Sequence, residues 1–336
     1  MLNENYSLKN LNTFGIDCYA RWFAEYSSAD ELREIVGTDL YRNSPSMLIG
    51  RGSNLLFITD FEGVVLHSAM RAVKLIGHDK SSVMLEVGSG VLWDELVEHC
   101  VRNGWWGIEN LSLIPGEAGA AAVQNIGAYG VELCDVLESV KVLDLSTGQE
   151  ISLSVEDCGY GYRKSIFKTS ARNQFAILSV RLRLSRQPRP CFKYPHLEEE
   201  VLKRGEVDLA TIRRTIIEIR TAKLPDPEVL GNAGSFFMNP LVSASKLEKL
   251  QKVFPAIPNY PADNQQVKIP AAWLIDQCGW KGKSMGKAGV YEQQPLVLVN
   301  QGGATGKEIA ELAAAIQTTV ANQFDISLVP EVNYIG

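Results

Sequence analysis

Five segments of the chain hold residue types that can bind or move charge. The first is Gly50-Arg51-Gly52-Ser53-Asn54, running into Leu55. Glycines let backbone N–H groups approach an anion closely, and Ser and Asn add donors. A dinucleotide fingerprint is not met, because Leu55 stands at the third glycine position and no βαβ unit follows. Taken alone, the segment fits a phosphate cradle or a structural turn equally well. The second runs from Leu113 to Gly130 and carries a single charge, Glu117. Its residues Pro115, Gly116, Gly119, Ala120, Gln124, Asn125, Gly127, Ala128 and Tyr129 are small or hydrogen-bonding. Backbone of that kind packs against a flat polyanionic cofactor, or forms a tight Ala/Gly crossover.

The third segment, Gly159 to Ser165, sets Arg163 beside Tyr162. A guanidinium among aromatic and hydroxyl neighbours suits a carboxylate or phosphate, since it donates in a bidentate fork. The plain alternative is a surface arginine. The fourth is Gly231 to Pro240, with Ser235 before Phe236 and Phe237. It is not a nucleophile elbow, because Phe237 fills the place of the closing glycine, and no histidine is near in sequence to activate the hydroxyl. Ser235 therefore suits proton donation better than attack. The fifth is Glu331, among apolar residues between Pro330 and Gly336. By itself it reads as an exposed strand charge; the other option is an active-site carboxylate. Gly302 to Lys307 resembles a Walker loop only loosely, with the spacing one short and Glu308 where Ser or Thr belongs, and is read as a helix start.

These segments need elements to hold them. Ser28 and Glu31 have capping-box spacing for a helix to about Val36. Met47 to Ile49, Leu55 to Ile58, Val64 to Leu66 and Val83 to Val87 read as strands. Trp93 to Arg102 reads as a helix stopped at Gly104. Ser139 to Leu145 and Ile151 to Val155 form a hairpin, and Phe175 to Leu184 alternates like a half-exposed strand. Gln187-Pro188-Arg189-Pro190 breaks the pattern, then a helix runs from near Asp208 to Ala222. Beyond Leu224-Pro225-Asp226-Pro227 come a helix from Ala271 to Cys278, a strand from Leu296 to Val299, a helix capped by Thr305 and Glu308 to about Gln323, and a strand from Ile326 to Val332. The pattern predicts a β-rich first body and an α/β second one.

The chain has 336 residues, with 46% hydrophobic and 21% charged, enough for a sizeable core without metal or disulfide staples. A net charge of −6 leaves no electrostatic footprint for nucleic acid. The six cysteines form no C-x-x-C pair, and the four histidines show no metal-ligand spacing, so reduced thiols and no metal site are expected. Met1 to Asn10 lacks the marks of a signal peptide, and no stretch of about 18 apolar residues occurs to span a membrane.

The five segments in this order, with Asn12-Thr13-Phe14-Gly15-Ile16 ahead of them, resemble the UDP-N-acetylenolpyruvoylglucosamine reductase family over nearly the whole chain. The resemblance implies an α+β protein: an FAD-binding domain of the vanillyl-alcohol-oxidase (PCMH) type followed by a smaller α/β substrate domain. Its implied bounds are two FAD-binding subdomains at 1–70 and 71–222, a substrate domain at 223–325, and a C-terminal strand at 326–336 carrying a catalytic glutamate. By position, Arg163, Ser235 and Glu331 match the family's catalytic residues. Tyr162, Tyr194, Lys223, Asn239 and Gln294 match its substrate contacts, with Tyr194 in a stretch, Cys191 to Leu202, like the substrate-lid loop of one subfamily. Gly50 to Leu55 and the residues named between Pro115 and Tyr129 match its FAD segments. Ala122, Lys164 and Asn333 stand where the family commonly has Pro, an acidic residue and Arg.

The implied reaction is NADPH-dependent reduction of UDP-N-acetylglucosamine enolpyruvate through non-covalent FAD, in a cytoplasmic monomer that builds peptidoglycan precursors. The chemistry agrees. Hydride addition to the enol ether leaves negative charge shared with the carboxylate, which Arg163 can bind. Ser235 can then protonate the carbanionic carbon. Glu331 would have to be protonated at an enolate, or orient Arg163. Without a dinucleotide fingerprint, the nicotinamide would visit the substrate pocket, giving ping-pong kinetics. An oxygen-dependent flavin oxidase of a sugar or alcohol on the same fold is the alternative.

Overall fold

The computed structural model describes residues 2–194, 196–262 and 266–336. Met1 and Pro195, which fall in segments read above, lie outside the described residues. The chain divides into two compact units, Met1–Tyr6 with Ala20–Arg51 and Glu62–Arg220, and Ser7–Tyr19 with Gly52–Phe61 and Thr221–Gly336. Bounds at 70 and 222 treat each domain as one continuous stretch. Two early segments instead join the unit that begins at Thr221. The reason is long-range pairing that no local pattern encodes. Asn232 donates its backbone N–H to Thr13 at 2.9 Å, Asn300 Nδ2 donates to the Phe14 carbonyl at 2.9 Å, and Leu55–Phe57 pairs in parallel with Asn333–Ile335.

The first unit holds two sheets. Strands Asn3–Ser7, Tyr19–Tyr26, Phe61–Ser68 and Ser46–Ile49 form one, in that order, with the last pair parallel. The other is antiparallel, ordered Glu150–Ser154, Leu137–Asp144, Phe175–Ser185, Ser82–Gly88 and Val73–His78. Along Phe175–Ser185, Val180, Leu182 and Leu184 are buried, whereas Arg181 pairs with Glu86 and Arg183 with Glu138. This period of two is the alternation expected of a strand with one wet face. The buried face packs on the helices Trp93–Arg102 and Ala118–Gln124 through Val87, Trp93, Leu96 and Ala122. Full burial of each large aliphatic there contributes about 1.5–3 kcal/mol.

Helix Ala29–Val36 starts with only half of the expected capping box. Ser28 Oγ accepts from the Glu31 N–H at 3.1 Å, but the Glu31 carboxylate reaches the N–H of Ser27 at 2.7 Å. Helix Leu209–Thr221 buries Leu209, Ile212 and Ile216 against Trp106, Leu197 and Val201. Arg213 on the same helix forks onto Asp94, at 2.6 and 2.8 Å, and so ties it to the start of helix Trp93–Arg102.

The second unit is built on the sheet Gly231–Ser235, Val297–Asn300, Ala288–Val290 and Ser284–Met285. Helix Gly306–Phe324 lies against it and buries Ile309, Leu312, Ile316, Val320 and Phe324. Its start has the complete Thr305/Glu308 capping box, so the Gly302 to Lys307 run is a helix start. Phe254, Trp273 and Phe324 cluster at its far end. The strand expected over Ile326 to Val332 is not formed; the terminal strand is Asn333–Ile335. Before it, Pro330 makes a single bridge to Phe237, because proline has no N–H to extend a ladder. Glu331 therefore precedes the strand rather than lying within it.

Sequence patterns also miss strand Tyr19–Tyr26 and helices Ala118–Gln124 and Ala244–Val253. Ala118–Gln124 has no polar face to contrast with its apolar one; alanine's intrinsic preference makes it helical.

Candidate functional site

In the first unit the site grows from the end of helix Ala118–Gln124. Asn125 ends it in the left-handed region, φ 44°. Asn tolerates this conformation and can donate and accept at once. Its Nδ2 donates to Glu132 Oε2 at 2.9 Å and to the Gly161 carbonyl at 3.0 Å, while its Oδ1 accepts from the Cys134 N–H at 3.1 Å. Asn125 thus joins the turn after the helix to the tight hairpin that carries Arg163.

In that hairpin Gly161 and Lys164 exchange backbone hydrogen bonds at 3.1 and 3.0 Å, leaving Tyr162 and Arg163 at the tip. Arg163 has φ 54°, a conformation that costs a non-glycine residue about 1–2 kcal/mol. Its Nη2 donates to the Gly127 carbonyl at 2.8 Å, and Nη1 reaches the Asn125 carbonyl at a long 3.5 Å. The Tyr162 ring lies 5.8 Å from its guanidinium carbon. Tyr129, at φ 50°, is left-handed as well. Three residues singled out from sequence, Asn125, Tyr129 and Arg163, therefore share a left-handed backbone, strained at Tyr129 and Arg163. Such strain gathers where function fixes geometry.

Tyr129 is the hub of a second cluster. Its carbonyl accepts from Asn110 Nδ2 at 2.8 Å, and the same amide donates to the Cys191 carbonyl at 2.9 Å. Its ring meets the exposed ring of Tyr194 edge-on, with centroids 4.9 Å apart. Arg220 lies against the Tyr129 hydroxyl; burial pushes the Arg220 pKa down, and burial likewise raises that of Tyr129. Sequence reasoning overlooks Asn110 and Arg220. A signal exists for Arg220: with Arg213 it falls on the stripe of Leu209, Ile212 and Ile216, three to four residues apart.

The two glycine segments differ from ordinary turns in how closely they are approached. Gly52 has φ 62°, and a Cβ there would come 2.1 Å from the Leu11 carbonyl oxygen, so only glycine fits. A Cβ on Gly50 would come 2.9 Å from Glu117 Oε2. Glu117, the one charge between Leu113 and Gly130, is buried and turned onto His67, with its Oε1 3.0 Å from His67 Nε2. The accessible chemistry of the segment is then backbone plus Gln124, Tyr129 and small side chains, with Pro115 exposed and Gly116 and Ala120 half-buried. This suits a polyanionic cofactor, which meets no carboxylate there. Arg51 is exposed, and Ser53, Asn54 and Leu55 are half-buried.

In the second unit, Ser235 ends strand Gly231–Ser235 and is exposed. The chain leaving it pairs with the segment that carries Glu331. Glu331 donates its N–H to the Phe236 carbonyl at 2.8 Å, and Met238 donates to the Val329 carbonyl at 2.9 Å. Asn54 Nδ2 donates to the Glu331 carbonyl at 3.1 Å, while the Asn54 carbonyl accepts from the Asn333 N–H at 3.0 Å. The backbone of Glu331 is thus held from both sides, one residue across from Ser235. Asn239 Oδ1 caps helix Ala271–Gln277 by accepting from the Ala271 N–H at 2.9 Å. Gln294 closes the turn before strand Val297–Asn300, accepting at its carbonyl from the Val297 N–H at 3.0 Å. Lys223 is exposed in the loop after helix Leu209–Thr221.

Among the described residues no group of three or more His, Cys, Asp or Glu side chains is gathered to hold a metal, and no helix is long and apolar enough to cross a membrane.

Two family models match the chain. One, described as an FAD binding domain, matches residues 20–154; the other, described as the C-terminal domain of UDP-N-acetylenolpyruvoylglucosamine reductase, matches residues 226–335. A protein of that name from Bacteroides fragilis is 48% identical over 334 residues, covering 99% of this chain and 100% of the relative. Another from Porphyromonas gingivalis is 46% identical over 336 residues, covering 99% of each. The solved reductase of that name from Thermus caldophilus superimposes with a TM-score of 0.71 at 25% identity, covering 100% of both chains. The chain is a member of the UDP-N-acetylenolpyruvoylglucosamine reductase family.

Proposed function

We propose that this protein uses NADPH and FAD to reduce the enolpyruvyl group of UDP-N-acetylglucosamine enolpyruvate, forming UDP-N-acetylmuramate for peptidoglycan synthesis. Full-length kinship carries this conclusion: the Bacteroides fragilis relative matches 99% of the chain at 48% identity. When bound, FAD supplies the hydride that saturates the terminal carbon of the enol ether. Gly50 to Leu55 and the named residues from Pro115 to Tyr129 would hold it, through backbone donors beside a carboxylate that is turned away.

The protein's share of the reaction is binding, charge and one proton. Arg163 binds the enolpyruvyl carboxylate and stabilises the charge that develops on it. Its hydrogen bond to Gly127 fixes the direction of the fork, so little reorganisation is needed as charge moves. Ser235 delivers its proton to the carbon beside the carboxylate. Glu331 supplies a proton in the same step; Glu331→Gln tests this, because the amide keeps the shape and a donor but has no acidic proton to give. Tyr194 and Lys223 would hold the nucleotide diphosphate, with Tyr162, Asn239 and Gln294 completing the substrate contacts. The protein acts as a monomer in the cytoplasm, where nicotinamide and nucleotide sugar are both at hand.

The test is steady-state oxidation of NADPH against varied UDP-N-acetylglucosamine enolpyruvate. Parallel reciprocal plots and a product heavier by two hydrogens are expected. Consumption of oxygen with an alcohol, and no need for NADPH, would overturn the proposal in favour of a flavin oxidase.

A further inference from the structure

Glu117 sits within a segment proposed to receive FAD, yet its side chain is 3% exposed and belongs to a chain of charges that runs from the interior to Glu25, which is half exposed. Its Oε1 is 3.0 Å from His67 Nε2. The other ring nitrogen of His67, Nδ1, is 2.9 Å from Glu25 Oε1. The imidazole is 4% exposed, and the Phe23 ring lies over it at 6.4 Å between centroids. The nearby phenol of Tyr26 hydrogen-bonds with Ser68 and Ser89; burial pushes its pKa up to about 12, so it stays neutral.

A neutral imidazole has one N–H and one lone pair. It can satisfy one carboxylate only by aiming its lone pair at the other. The imidazolium donates to both. Burial alone would lower the His67 pKa, but the hydrogen bond and charge of Glu117, then those of Glu25, outweigh it and raise the pKa above the ordinary 6.5. The second oxygen of Glu117 faces Gly50, where a Cβ would come within 2.9 Å of it and 3.3 Å of the Ala120 Cβ. One carboxylate therefore touches the first glycine turn, belongs to the second, and is held from beneath by His67.

We propose that His67 is a positioning residue for FAD: its imidazolium fixes Glu117 between the Gly50 turn and the Pro115–Ala120 turn and so sets the spacing of the two cofactor loops. This rests on the assignment of those loops to FAD. The sign follows from the raised pKa. The clamp carries its full charge below the ordinary His value and weakens as pH rises through the folded one. Above that point the neutral imidazole keeps its one N–H for buried Glu117 and turns its lone pair to the half-exposed Glu25, so the hold on Glu117 falls from a charged to a neutral hydrogen bond.

The experiment is release of FAD from the yellow protein, read by free-flavin fluorescence from about pH 6 to about pH 9. The dissociation constant of the unaltered protein should rise by about fivefold to tenfold across this range, the effect of turning one charged hydrogen bond into a neutral one. Glu117→Gln should flatten the profile, because a neutral imidazole can accept from an amide. His67→Leu should bind weakly at every pH. A flat profile in the unaltered protein, or an unchanged slope in Glu117→Gln, would overturn the positioning role while leaving FAD binding intact. A protein that takes up no FAD at any pH would overturn the loop assignment, and this proposal with it. Glu117→Gln keeps the test decisive if His67→Leu fails to fold.

Discussion

Replacing Arg163 by glycine separates what this residue does for the fold from what it does for the reaction. At φ 54° an arginine carries about 1–2 kcal/mol of backbone strain that glycine does not. Glycine gives back about 0.4–1 kcal/mol of that through the greater freedom of its unfolded chain. The side-chain bond from Nη2 to the Gly127 carbonyl, at 2.8 Å, has a charged donor and is lost at about 1.5–3 kcal/mol. The contact to Asn125 at 3.5 Å is too long to add much. The relieved strain offsets part of this and leaves a loss of about 1–2 kcal/mol, or a melting point lower by about 2–8 °C. Catalysis has no such compensation. Removing a donor placed at developing charge lowers turnover by about a hundredfold to a thousandfold, and Arg163 brings a full charge to that task. The assay pairs thermal melting with stopped-flow measurement of the two half-reactions. Flavin reduction by NADPH should stay close to that of the unaltered protein, while reoxidation by the enolpyruvyl substrate collapses. A variant that melts many degrees lower would show Arg163 to be a structural residue. One that turns over normally would refute its place in the reaction.

Other perturbations should respond in their own ways. Ser235→Ala removes an exposed hydroxyl, so stability should hold within about 0.5 kcal/mol while substrate reduction slows by about a hundredfold to ten-thousandfold, measured in single turnover. Asn110→Leu unpairs the carbonyls of Tyr129 and Cys191 and should cost about 2–3 kcal/mol by denaturant unfolding, with a raised KM for the nucleotide sugar as Tyr194 loses its seat. Asp94 resists protonation: burial alone would raise its pKa, but the Arg213 fork and the Leu113 N–H lower it below the ordinary 3.8. Stability should therefore hold above that value and fall as pH drops through the depressed one; Arg213→Leu, titrated in acid, should show a smaller acid-linked loss.

The parts of the site that lie within one stretch of chain were legible in the sequence. Glycines at 50, 52, 116 and 119, the Ser235 turn and the Thr305/Glu308 box each declare themselves through local chemistry. What was hidden depends on partners far along the chain. Asn125 and Arg163 are joined through Gly127 and Gly161, and the left-handed backbone of Arg163 leaves no mark on its residue type. His67 carries no local signal, because Glu25 and Glu117 lie 42 and 50 positions away. The discontinuous second unit escaped for the same reason: Thr13, Phe14 and Leu55 find their partners beyond residue 230. The apolar residues between Ile326 and Val332 read as a strand, yet Pro330 stops a ladder from forming there, so Glu331 precedes the strand Asn333–Ile335.

The most direct test of the central claim is an anaerobic two-step experiment on the purified yellow protein. NADPH is added until the flavin absorbance bleaches, and UDP-N-acetylglucosamine enolpyruvate follows. Full return of the yellow colour within the mixing time of a turnover, with one UDP-N-acetylmuramate formed per flavin, is the predicted result. Bleached flavin that stays bleached after the nucleotide sugar, and recovers only when air is admitted, would contradict it.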